Sequence, residues 1–170
     1  QAINAAERQV RAGVLRRLAP GDGTLLPPCL VLMSVVKDAE RIGDHCKNLL
    51  EVGQYYDGPW DVPQFADPLK KVRHQLLPMF EKTRKAFREG DRHLAREVID
   101  SAVAIAQKCE LLLQQLLVGV EMSSGQSVAY ALMSRYLKRI ALYLANISTA
   151  VVAPVHKLDY ADESKGSEEA

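Results

Sequence analysis

Apolar residues recur at intervals of three and four along this chain, which is the spacing of one face of an α-helix. The first such segment ends before Pro20-Gly21, a pair typical of a turn, and the second follows Pro27-Pro28. In the second segment the spacing continues to about Tyr55, which predicts a helix of roughly thirty residues, or about 45 Å. The apolar positions are Ile3, Ala6, Val10, Val14 and Leu18 in the first segment, and Leu32, Val35, Ala39, Ile42, Cys46 and Leu49 in the second.

Three further helices are predicted after a connection rich in Pro and Gly, residues 57–66. The third helix is predicted to begin at Asp67-Pro68, because Asp is a good N-cap and Pro fits the first turn, and to end at Glu89. Gly90-Asp91 then predicts a tight helical hairpin. The fourth and fifth helices are predicted over about residues 92–118 and 127–153. The aromatic residues Tyr55, Tyr56 and Trp60 are predicted to fill the junction between the two halves of the chain.

The second and fifth predicted helices contain related sequences. Residues 39–49 align with residues 137–147, which lie 98 positions later. An Arg-Ile pair, the small residue after it and an Asn coincide in the two copies. The chain is therefore predicted to consist of two related helical units.

The run Asp38-Ala39-Glu40-Arg41-Ile42-Gly43-Asp44-His45 contains the candidate chemistry of the first unit. Glu40 and Asp44 are four residues apart, so they share one face of a helix, where two like charges repel unless a cation neutralises them. Carboxylate oxygens suit hard or borderline ions such as Mg, Mn, Fe or Zn, but two carboxylates are too few ligands. Glu7 and Asn4, one turn apart on the preceding helix, are the candidates that would complete the set.

The same residues have a simpler interpretation. Lys37 and Arg41 each stand three residues before one of the two carboxylates, so the acidic pair could be part of a solvated, ion-paired helix face. His45 is rotated by about 100° from Asp44 on a helix and is therefore predicted to lie on the outer face or at an interface rather than to bind the metal.

The second copy of the motif lacks its acids. Lys138 and Leu142 stand where the first copy has Glu40 and Asp44, so a metal site there is predicted to be lost. Leu142 and Tyr143 would form an apolar pair on the outer side of the last helix. Such a pair is predicted to make a helix–helix or subunit contact, together with His45.

The Asp38–His45 run, its weaker copy and the duplicated long helices together resemble the PhoU family of phosphate-uptake regulators. The resemblance implies an all-α protein of two similar up-down three-helix bundles, with a Glu-x-x-x-Asp motif in each unit that can hold metal on the outer surface. It also implies a cytoplasmic modulator that meets a phosphate transporter and a sensor kinase. Only two helices precede the linker, so the first helix of the first unit is expected to lie before Gln1.

The predicted organisation is an incomplete first unit, a linker, a complete second unit and a polar tail that is expected to be disordered. Their bounds are residues 1–56, 57–66, 67–156 and 157–170.

Composition excludes several classes of function. The formal net charge is +1, so the chain lacks the basic excess that nucleic-acid binding exploits. No run of eighteen apolar residues occurs, and contact with a membrane is expected only through a partner. Three Cys residues lie among apolar neighbours, which suits a reducing cytoplasm. The sequence has no phosphate loop, nucleophile elbow, zinc-spaced Cys/His pair or Glu-x-x-His motif, so an enzyme is not expected.

Two helices are basic. Arg8, Arg11, Arg16 and Arg17 lie on the first, and Lys70, Lys71, Arg73, Lys82, Arg84, Lys85 and Arg88 on the third. A solvated face is the simpler interpretation, and a surface for an acidic partner or the inner leaflet is the other.

Two functions remain open. The first is a non-enzymatic regulator of phosphate transport and phosphate-starvation signalling, acting as a homo-oligomer that docks to a transporter or kinase. The second is a cytosolic regulatory and dimerisation domain of a larger cation or sodium/phosphate transporter, as in PhoU-like domains with a degenerate second site.

Overall fold

The structure, a computed structural model, describes residues 2–19, 21, 23–119 and 121–155. It is all-α, as predicted, with no strand in these ranges. The predicted tail, residues 157–170, lies outside the described residues. The helices are α1 (Ala2–Leu18), α2 (Leu26–Tyr55), α3 (Pro63–Glu89), α4 (Arg92–Val118) and α5 (Ser124–Val152), with a 3-10 turn at Gly23–Leu25 before α2. In the part of the chain described, no helix is both long enough and apolar enough to cross a membrane.

Helices α3, α4 and α5 pack against one another as a three-helix bundle. The predicted hairpin between α3 and α4 is confirmed: Gly90 is left-handed, with a φ of 68°, and the Asp91 side chain accepts a hydrogen bond from the Leu94 backbone N–H at 3.0 Å. The bundle core is made of apolar side chains from all three helices, including Phe65, Leu69, Val72, Leu76, Met79, Val98, Ile105, Cys109, Leu112, Tyr130, Leu137, Ile140 and Leu144.

Helix α2 packs along α5, and α1 packs on α2. Leu26 and Ser124, the first residues of α2 and α5, are 98 positions apart, so the α1–α2 pair corresponds to the α4–α5 pair of the bundle. Helix α3 has no counterpart among the described residues of the first unit. Within α1 the one buried residue is Val14, so the first helix is held by α2 along a single narrow contact.

Helix α3 begins at Pro63, four residues before the predicted start at Asp67. Pro63 takes the first helical position, where its missing N–H costs nothing, and Val62 is the N-cap. Phe65 and Ala66 are then buried in the bundle, which favours helix over loop at these positions. The residues predicted as linker therefore include the first turn of α3.

Aromatic side chains join the linker to the bundle. The rings of Tyr56 and Trp60 meet edge to face with centroids 5.2 Å apart, and Trp60 meets Tyr130 of α5 in the same way at 5.1 Å. The Tyr130 hydroxyl accepts a hydrogen bond from the Val62 backbone N–H at 3.3 Å. Tyr56 and Trp60 thus fill the junction, whereas the same prediction was wrong for Tyr55, which is 83% exposed.

Candidate functional site

The contact between α2 and α5 is centred on equivalent positions of the internal repeat. His45 and Tyr143 lie 98 positions apart, and their rings stack with centroids 5.6 Å apart and an interplanar angle of 15°. The ring of Tyr136 of α5 also has its centroid 5.6 Å from that of His45, with an interplanar angle of 31°. The Arg41 guanidinium sits over Tyr143 at 5.6 Å from the ring centroid. The two copies of the motif therefore face each other across the helix interface.

This contact tests part of the prediction that Leu142 and Tyr143 form an apolar pair on the outer side of α5. Tyr143 is half-buried against His45 and the core, and Leu142 is also half-buried, so neither is the exposed residue that the pattern suggested. Both His45 and Tyr143 make a helix–helix contact inside the chain. A subunit contact at Leu142 stays a prediction.

His45 is held in an environment that disfavours its charged form. Burial lowers the pKa of its imidazole, and the nearby guanidinium of Arg139 adds to this effect. Its Nδ1 atom is buried and has no hydrogen-bond partner among the described residues. Arg139 is the repeat equivalent of Arg41, so each aromatic ring at the centre has an arginine of the opposite helix nearby.

In the acidic pair, Glu40 already has a cationic partner. Glu40 accepts a hydrogen bond from the Lys37 ammonium at 2.6 Å, and its side chain is only 13% exposed. This bond and the charge of Lys37 lower the pKa of Glu40 against the opposing effect of burial. Asp44 is exposed. The structure therefore brings Glu40 and Asp44 together, with an ammonium group where a metal ion would compete.

The two remaining candidate ligands lie on α1. Glu7 pairs with Arg11 one turn later at 2.6 Å, and Asn4 is exposed. Within the described ranges, no three His, Cys, Asp or Glu side chains are grouped so that they could hold a metal ion. Three carboxylates and one exposed amide fall short of the six oxygen ligands that Mg²⁺ takes, unless water supplies the rest.

The second copy uses its basic residue for packing. The Lys138 ammonium bonds the Glu110 carboxylate of α4 at 3.1 Å, so this position ties α5 to α4. Arg135 and Arg139 are exposed on α5. The repeat thus has an acidic half on α2 and a basic half on α5.

Sequence reasoning missed one buried charge next to the site. Asp38 is 3% exposed, and its carboxylate lies 4.0 Å from the Arg41 guanidinium. Asp38 stands one helical turn before the buried Ile42, so the seam periodicity itself could have placed it on the buried face. It was overlooked because an acidic residue is not expected inside.

Residues 69–151 match the family model of the PhoU domain. These residues run from the first buried turns of α3 to the end of α5, which is the three-helix bundle described above. They form a PhoU domain. Comparisons with curated proteins and with solved structures found no match.

The α2–α5 contact lies at the edge of the PhoU domain. The domain contributes α5, and α2 with the acidic pair packs on α5 outside the matched residues. PhoU proteins are regulators linked to phosphate transport, without enzymatic activity. The candidate site at the α2–α5 contact is thus half inside the PhoU domain and half on the helix related to α5 by the repeat.

Proposed function

We propose that this chain is a non-enzymatic cytoplasmic regulator that restrains phosphate transport and the phosphate-starvation response by docking to a transporter or a sensor kinase. The observation that carries the proposal is the PhoU domain over residues 69–151. The internal repeat supports it, because α2 and α5 pack together through equivalent positions, as two related units of one regulatory protein would.

Docking would use the outer surface of α2 and α5. The acidic half offers Asp44 beside Glu40, and the basic half offers the exposed Arg135 and Arg139. Charges of both signs on one rigid surface favour a partner with the complementary pattern and set its orientation more than its affinity. A second copy of the chain can also supply that pattern, which is why a homo-oligomer is part of the proposal.

A metal ion would act as a modulator of this surface. Glu40 and Asp44 would hold it, with Glu7 and Asn4 of α1 as further donors after rearrangement. An ion of the Mg, Mn, Fe or Zn type would displace Lys37 from Glu40 and reverse the local charge. Weak, water-completed binding is expected because the protein supplies few ligands.

Phosphate uptake in the source organism tests the function. Deleting the gene is expected to raise uptake under phosphate-replete conditions and to switch on starvation-induced genes. The wild-type gene should restore both, and a variant with Arg135→Glu and Arg139→Glu should not. The matched control changes two exposed cations away from this surface, Lys71→Glu and Lys85→Glu. Unchanged uptake after deletion would contradict the proposal.

The alternative function is a cytosolic regulatory domain of a larger transporter. It is favoured by the second copy of the motif, in which Lys138 bonds Glu110 and leaves no acidic pair. The two functions are distinguished by measuring the uptake of cations and sodium-coupled phosphate uptake in the same deletion strain. A defect in transport by the deleted polypeptide itself, rather than excess uptake through another transporter, would favour the alternative.

A further inference from the structure

Helix α3 exposes a continuous stripe that no part of the proposed site uses. Its members recur at steps of three and four, so at 100° per residue they fall within a sector of about 80° on one side of the helix. The stripe is about 27 Å long at 1.5 Å per residue. We name it the α3 stripe, and its residues are Lys70, Arg73, Leu77, Phe80, Arg84 and Arg88.

The bundle fixes the orientation of the α3 stripe. The buried side of α3 packs on α4 and α5 through Leu69, Val72, Leu76, Met79, Thr83 and Ala86. At the centre of the stripe Leu77 is 59% exposed and Phe80 is 37% exposed. The stripe therefore presents two apolar side chains between two pairs of cations on a helix that cannot rotate.

The α3 stripe lies on a helix with an excess of positive charge. Helix α3 has seven basic residues and three acids, and these acids lie beside the stripe and pair with three of its four cations. Those acids make exposed contacts: Asp67 with Lys70 at 3.7 Å, Glu81 with Arg84 at 2.7 Å, and Glu89 with Arg88 at 3.4 Å. The Asp67–Lys70 and Glu89–Arg88 pairs are exposed single contacts, which contribute little, so these two cations can turn to another anion. Arg84 donates to both oxygens of Glu81, at 2.7 and 3.2 Å, and is the more firmly paired cation.

We propose that the α3 stripe is a docking surface for an anionic lipid bilayer, with Leu77 and Phe80 entering the interface between four cations that contact lipid phosphates. Charge complementarity identifies the occupant, because clusters of basic residues on an amphipathic helix bind anionic headgroups. The shape agrees with this choice. Helix α3 offers long flexible cations and two exposed apolar side chains to a flat fluid surface, whereas the energetically important contacts of a protein interface lie in packed pockets.

This contact is additional to the proposed function, in which the membrane is reached through a transporter. Protein-free vesicles test it independently of that function. The purified chain is mixed with vesicles of phosphatidylcholine alone or of phosphatidylcholine with phosphatidylglycerol, and bound protein is measured by co-sedimentation. Binding is expected with the anionic vesicles, and it should decrease with added salt.

Variants of one helix make the test specific. Arg73→Gln with Arg84→Gln is expected to lower the apparent affinity for anionic vesicles by roughly an order of magnitude. The matched control, Lys71→Gln with Lys85→Gln, removes the same charge from the adjoining face and should retain most of the binding. Leu77→Gln should also weaken binding, whereas Leu111→Gln on exposed α4 should not. All these positions are exposed, and circular dichroism verifies folding.

Three outcomes would overturn the proposal. The first is equal binding to neutral and anionic vesicles, and the second is a larger loss in the Lys71/Lys85 control than in the Arg73/Arg84 variant. The third is absence of vesicle binding while polyglutamate binds in a manner that depends on Arg73 and Arg84, which would assign the stripe to acidic proteins.

Discussion

His45 and Tyr143 occupy the same position in the two copies of the internal repeat, and their rings stack on each other at 5.6 Å. A residue that contacts its own equivalent marks the axis of an approximate two-fold arrangement, as in a symmetric dimer interface. Here the two related helices belong to one chain, so the arrangement is built into the fold. The second copy has Tyr143 where the first has His45, and Lys138 and Leu142 where the first has Glu40 and Asp44, and the helices still pack in register.

The stack is predicted to couple the two helices energetically. His45→Ala and Tyr143→Ala should each lower the free energy of unfolding, and a double-mutant cycle should give a coupling of about 0.5–1.5 kcal/mol, as found for aromatic pairs. Urea unfolding of the four proteins measures it. The cycle of Tyr143→Ala with Leu111→Ala serves as the control and should be additive, because Leu111 is an exposed residue of α4. Additivity of the His45–Tyr143 cycle itself would disprove the coupling.

Replacing Gly43 by Ala is predicted to raise the free energy of unfolding slightly. A Cβ at this position would lie 2.6 Å from the Ile3 Cδ1 atom of α1, which is the far end of a half-exposed side chain and can move. Removing Gly from a helix interior gains about 1 kcal/mol. Gly43→Ala should therefore raise the free energy of unfolding by less than that amount. When it is made in the Ile3→Ala variant, the free energy of unfolding should rise by the full amount relative to Ile3→Ala alone.

Gly53 provides the comparison for this prediction. It lies in the same helix, and no atom approaches its added Cβ within 4 Å. Gly53→Ala should show the same gain with and without Ile3→Ala. If Gly43→Ala destabilises the chain in the Ile3→Ala background as well, the contact with α1 is not what limits the size of this residue.

Helical periodicity was sufficient to predict five helices because each apolar face repeats over at least four turns. It failed at Pro63: the Pro- and Gly-rich composition predicts a linker there, although proline is suited to a first helical turn and Phe65 after it is fully buried. It also failed at Tyr55. This residue is the last of α2 and its side chain is exposed, and the chain turns into the junction only at Tyr56. Both errors concern ends of helices, where one or two tertiary contacts decide the structure rather than the repeat.

The candidate site was harder to predict than the fold. Spacing placed Glu40 and Asp44 on one helix face, and the structure agrees. Spacing also allows the Lys37–Glu40 pair that the structure contains, but spacing does not decide between this pair and a metal ion. The Glu7–Arg11 pair is not among the sequence predictions. Spacing could not show that His45 would meet its own repeat equivalent, because that contact depends on how α2 crosses α5.

Alkaline pH is predicted to destabilise the bundle through Cys109. Burial raises the pKa of this thiol to about 11 from an ordinary 9.0, so between these values the unfolded chain loses the proton first. Stability is fully present below pH 9 and falls as the pH rises toward 11, by at most about 3 kcal/mol. The measurement is the free energy of unfolding of wild type and Cys109→Ala at several pH values under reducing conditions. The wild type should lose more stability than the variant over this range, and parallel curves would contradict the assignment.

Divalent metal binding is predicted to be controlled by Lys37, because its ammonium already occupies Glu40 at 2.6 Å. Lys37→Met removes the competing cation and leaves the carboxylates of Glu40 and Asp44 to repel each other, so the affinity for Mn should rise by roughly twofold for the ~0.5 kcal/mol that such a like-charge pair costs. Glu40→Ala should abolish the effect of Lys37→Met, whereas Glu51→Ala, which removes the carboxylate of the Lys47–Glu51 pair about three turns further along α2, should not. Isothermal titration calorimetry with manganese chloride measures the Mn affinity of the wild type and of each variant. Equal Mn affinity for wild type, Lys37→Met and Glu40→Ala would show that the acidic pair is an ion-paired helix face and holds no metal.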